Sequence, residues 1–177
     1  MANKIALPVA LSVSIALLGG IWAYLALGPL AGYVLVWAGF IAWGAYFHSG
    51  ADNAALQKVI VGLIYGAVTA GIALLLVVNN PLGLPASVAA PIYVGVTVFF
   101  LVIVAGFNLL SVVPANVYGY AATVAYSLHQ PTLDGVGPLA SLTALNLSNP
   151  VLLLSLSFVI GALFGVASGK LAGVLGK

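Results

Sequence analysis

The chain has no cysteine, arginine or glutamate, and its 177 residues carry only four lysines and two aspartates. Without cysteine there are no disulfides, no thiolate nucleophile and no Cys-based metal site. A net charge of +2 on so few groups leaves no basic surface of the kind that binds nucleic-acid phosphates. Charged residues make up 3% of the chain and hydrophobic ones 64%, whereas a soluble domain carries about 25% charged residues. No soluble fold hides that much apolar surface. The composition therefore predicts an all-α, polytopic membrane helical bundle, with residues 1–177 forming a single integral membrane domain in the lipid bilayer.

The N-terminus, MANKIALPVALSVSIALLGGIWAYLAL, starts like a signal peptide with one Lys ahead of an apolar run. That run outlasts the roughly 7–15 residues of a secretory core, which predicts a retained first helix. A hydrocarbon core about 30 Å thick needs about 20 apolar residues per helix. On that ruler six spans fit, near residues 5–27, 30–47, 59–78, 89–110, 113–128 and 151–171. Pro114 suits the first turn of the fifth. Six crossings put Lys4, Lys58, Lys170 and Lys177 on one face, so the positive-inside rule places both termini in the cytoplasm.

WAGFIAWGAYFHSG at residues 37–50 returns in degraded form as VYGYAATVAYSLHQ at residues 117–130. At an offset of 80, Gly39 pairs with Gly119, Phe40 with Tyr120, Ala42 with Ala122, Ala45 with Ala125 and Tyr46 with Tyr126. His48 and His129 then fall within a residue of each other, and each is followed by an acid, Asp52 or Asp134. Gly62, Gly66 and Ala70 are echoed by Gly161, Gly165 and Gly169, and Leu7-Pro8 by Leu84-Pro85. Two halves of three helices each, near residues 5–78 and 85–172, enter the membrane from opposite sides and form inverted repeats. This is a recurrent architecture of transporters, with the site at the midplane between halves.

Gly20-Ile21-Trp22, Trp37-Ala38-Gly39-Phe40, Ala45-Tyr46-Phe47, Val113-Pro114 with Gly119 and Ala122-Thr123, and Phe164-Gly165 resemble the small bacterial inner-membrane proteins of domain-of-unknown-function family 1097. The resemblance covers most of the chain. It implies about six helices in the cytoplasmic membrane of a prokaryote and supplies no catalytic residues. The chain departs from the family in a longer stretch over residues 129–150, and in Asn116, where the family favours a small hydroxyl residue.

The spans hold no Asp, Glu, Lys or Arg away from their ends, which disfavours proton coupling, since that needs a titratable group at depth. Sodium held by carbonyls at an interrupted helix stays open. Asn108 and Asn116 are the deepest polar side chains; a buried amide needs either an interhelical partner or a polar solute path. Trp37, Trp43, Tyr46, Tyr120 and Tyr126 are either interfacial anchors or the walls of a constriction flanked by Gly39 and Gly119. His48 and His129 are either interfacial or candidates for pH gating. No clustered set suggests a metal, a cofactor or an enzyme. The glycine ridges join either the halves or the subunits of an expected homo-oligomer. The stretch after His129 has the character of an interfacial or re-entrant helix.

These features predict a passive channel or facilitator for a small neutral or weakly polar solute. An ion-coupled secondary transporter and a non-transporting membrane scaffold are the alternatives.

Overall fold

A computed structural model describes residues 5–129 and 137–176. Six helices account for most of them: α1 (Leu7–Leu27), α2 (Val36–His48), α3 (Asn53–Asn79), α4 (Ala86–Ile103), α5 (Val113–His129) and α6 (Pro150–Leu175), with no β-strand among the described residues. Four of these segments, those of α1, α3, α4 with its continuation to Gly106, and α6, are long and apolar enough to cross a membrane, which makes this a membrane protein. The others are shorter. At about 1.5 Å per residue, the 13 residues of α2 and the 17 of α5 reach roughly 20 Å and 25 Å, short of a hydrocarbon core about 30 Å thick.

Local chemistry sets the ends. The Asp52 carboxylate accepts from the Ala55 N–H at 2.6 Å, so α3 begins ahead of the apolar run and takes in Asn53, Gln57 and Lys58. Asn149 caps α6 through Val151 N–H, and its amide also donates to the carbonyls of Leu142 and Ala144. Asn80 ends α3 in the left-handed region at φ 41°. Removing the Asp52 cap with alanine is expected to cost about 1 kcal/mol, read as a lower unfolding midpoint in detergent.

Besides the early start of α3, two further boundaries differ from the sequence ruler. The second helix begins at Val36 rather than near residue 30, because the intervening chain folds into turns, with Gly32 at φ 84° and an isolated bridge between Ala31 and Val34. The fourth stops at Ile103, and the apolar residues after it form two 3-10 turns, Val104–Gly106 and Asn108–Leu110. Pro114 does occupy the first turn of α5. Between Gly137 and Asn149 the chain forms a single 3-10 turn, Pro138–Ser141, and no α-helix. Lys4, Asp134 and Lys177 lie outside the described residues.

α3 and α6 touch each other; α5 packs chiefly on α3 and α2 chiefly on α6, while α4 flanks α3 and α1 flanks α6. Glycine makes the two main crossings close. A Cβ at Gly119 would strike the Leu63 carbonyl, and one at Gly66 the backbone of Asn116 and Tyr120. At the other crossing, a Cβ at Gly161 would strike the Gly39 backbone, and one at Gly165 the rings of Tyr46 and Trp43. The ridges of α3 and α6 thus seat α5 and α2 within one chain. Alanine continues the seams: Ala38, Ala42, Ala45, Ala67, Ala115, Ala122 and Ala162 are buried in one cluster around Leu63 and Phe158. Gly176 approaches Ala10 and Ile5, so the start of α1 and the end of α6 share one end of the bundle.

Candidate functional site

The copied passages form α2 and most of α5, and their side chains divide between two surroundings. Asn116 is fully buried at the α3–α5 crossing. Its amide donates to the Leu110 carbonyl at 3.1 Å and the Leu101 carbonyl at 3.3 Å, joining α5 to both sides of the break after α4. Its Oδ1 has no hydrogen-bond partner and points at Gly62, where an added Cβ would come within 2.6 Å. A Cα–H contact from a glycine is the weak interaction such a packing leaves to a carbonyl oxygen. Tyr120, also buried there, shares a 3.1 Å hydrogen bond with Thr97 of α4.

The other crossing holds the first copy. Trp43 is buried against α6 and its indole donates to Ser168 at 2.9 Å, with Phe40 stacked on it at 5.6 Å and Phe164 tilted at 5.9 Å. Tyr46 is buried and its hydroxyl donates to the Ala51 carbonyl at 2.6 Å. The first-half junction mirrors the Asn116 one with donor and acceptor exchanged: fully buried Trp22 of α1 donates to the carbonyl of Val36 at the start of α2, at 2.9 Å. Val36 and Asn116 align at the offset of 80, one residue ahead of the copied passages. Trp43→Phe keeps an aromatic side chain but loses the pyrrole half of the indole with its buried N–H donor; a stability loss of about 1–3 kcal/mol, read as a lower unfolding midpoint, is the expected result.

The structure therefore brings Asn116, Gly119 and Tyr120 to one crossing and Gly39, Trp43 and Tyr46 to the other, rather than to one shared lumen. Tyr126 is half-buried against the central cluster. Asn108 is exposed in the second 3-10 turn, and Trp37 is partly exposed at the head of α2. His129 is exposed, its ring 3.3 Å from the Ala125 carbonyl.

What does lie between the two copies is a groove of about 460 Å³, bounded by Phe40, Ile41, Gly44, Ala45 and His48 of α2 and by Tyr118, Ala121 and Ala122 of α5. Its walls are mostly apolar, with the His48 imidazole and the Tyr118 phenol supplying polarity. Nothing stands in front of Gly44. Tyr118 and Ala121 escaped the sequence reading. The usable signal was helical spacing: Phe40, Gly44 and His48 form one stripe, and Tyr118 and Ala121–Ala122 lie one turn apart on α5.

The fold and the groove define a multi-helix membrane protein with an apolar cleft between α2 and α5. The chain belongs to the family of proteins of unknown function designated DUF1097, which it matches over residues 12–173. Neither a curated protein nor a solved structure matches it.

Proposed function

We propose that this chain crosses the cytoplasmic membrane six times as two inverted three-helix repeats, and passively conducts a small neutral or weakly polar solute along the α2–α5 seam. The observation that carries the reading is the groove between the two copied helices. The packing supports the repeat. Exchanging α1 with α4, α2 with α5 and α3 with α6 converts each principal neighbour pair into another: α5 on α3 becomes α2 on α6, and α4 on α3 becomes α1 on α6. The two ends of the chain share one end of the bundle, as an even number of crossings requires.

Lys170 belongs to that same end, where it borders a cleft with Leu7 and Asp52, and the positive-inside rule makes it the cytoplasmic end. The short α2 and α5 cross where neighbouring protein compensates their length, and hydrophobic mismatch of this kind favours association. A homo-oligomer closes the open side of the groove. An apolar, weakly polar lining suits a solute that sheds little hydration, and the lack of a deep titratable side chain favours passive movement over proton coupling.

The test is flux in liposomes with a panel of small neutral solutes. Flux is expected to decay with the solute gradient alone and to be largely lost in Ala121→Phe, which fills the groove without entering either glycine crossing. Strict dependence on a sodium or proton gradient would replace this reading with a coupled transporter. No flux for any solute would leave a membrane scaffold.

A further inference from the structure

A second cleft, of about 450 Å³, lies where α1 and α3 begin and α2 and α6 end. Leu7, Leu11 and Val166 give it apolar walls, and Asp52 and Lys170 both border it. It belongs to neither copied passage alone and plays no part in the proposed path. Four helix ends meet there, as they do at a membrane–water boundary.

We propose that this cleft holds a phospholipid whose headgroup ends in a primary amine. The charges match such a head group for group. Lys170 offers an ammonium to the lipid phosphate, at a cleft that the positive end of the α3 dipole also borders. Asp52 offers the complementary anion. It uses Oδ1 for the Ala55 cap, and its other oxygen accepts from the headgroup ammonium. The acyl chains leave along Leu7, Leu11 and Val166. A choline head carries the same charges but has no N–H to donate, and an anionic glycerol head brings a phosphate to Asp52 with no amine to offset it. A cleft bordered by one cation and one anion suits a zwitterion with a hydrogen-bonding amine better than either.

The experiment is native mass spectrometry of the whole chain released from nanodiscs containing equal parts phosphatidylethanolamine, phosphatidylcholine and phosphatidylglycerol. The wild type is expected to retain phosphatidylethanolamine preferentially, and Lys170→Gln to lower that retention about fivefold. Asp52→Asn keeps an oxygen for the helix cap and is expected to lose the preference for ethanolamine over choline while admitting phosphatidylglycerol. Unchanged unfolding midpoints in both variants assign the effect to the lipid site. Equal retention of the three lipids by the wild type overturns the proposal, as does a Lys170→Gln variant that retains phosphatidylethanolamine as well as the wild type does.

Discussion

Gly119→Val is expected to prevent the chain from reaching a monodisperse folded state in detergent, or to lower its unfolding midpoint by roughly 6–12 °C. The figure follows from an overpacking cost of about 3 kcal/mol and roughly 2–4 °C per kcal/mol for a chain of this size. The cause is local. A Cβ at residue 119 points at the Leu63 carbonyl, which belongs to the α3 backbone and cannot rotate away as a side chain would. Gly161→Val meets the Gly39 backbone at the other crossing and is expected to lose a similar amount. Gly20→Ala and Gly44→Ala are the controls: both are helical, both have open space in front of them, and alanine there is expected to leave the midpoint unchanged or slightly raised. If all four substitutions behave alike, the close crossings do not hold the fold.

The second large effect is expected at Asn116. Leucine there removes the donor shared by the Leu101 and Leu110 carbonyls and puts branched carbon against Gly62. An orphaned buried carbonyl costs about 1–3 kcal/mol; the Leu101 bond is buried and the Leu110 bond part-buried, so Asn116→Leu is expected to destabilise the chain by about 3 kcal/mol and to free the segment between α4 and α5. Hydrogen exchange over residues 101–112 reads the second effect directly. Gly62→Ala presses on Asn116 Oδ1 from the other side, so the two substitutions are expected to be non-additive, as residues in contact usually are. A neutral Asn116→Leu, with exchange unchanged, would mean that the amide does not secure the break.

Hydrophobic runs made α1, α3, α4 and α6 legible, because length and apolarity are carried by every residue of a span. The ruler misread the regions where turn chemistry overrides apolarity. Leu30 to Leu35 is apolar enough for a span, yet Gly32 turns the chain there; Val104 to Leu110 is equally apolar and breaks into 3-10 turns joined to α5 by Asn116. The glycine ridges were readable as packing surfaces, but not their partners, since spacing says that a helix approaches closely and not which one. The same limit separated the aromatic residues. Phe40 and Tyr120 are aligned in the two passages, and only the packing leaves the first exposed at the groove and buries the second against α4. Tyr118 and Ala121 carry no chemistry that stands out in sequence and become notable only because α2 lies opposite.

A chain without cysteine allows the seam to be probed one position at a time. Gly44→Cys and Ala121→Cys place a thiol in the groove, while Val68→Cys and Val96→Cys place one on exposed apolar surface elsewhere on α3 and α4. In sealed proteoliposomes, a membrane-impermeant maleimide is expected to label residues 44 and 121 and to be excluded by the transported solute, while residues 68 and 96 react only with a lipid-soluble reagent. Labelling at 44 and 121 no faster than at 68 and 96 would contradict a solute path between the copied helices.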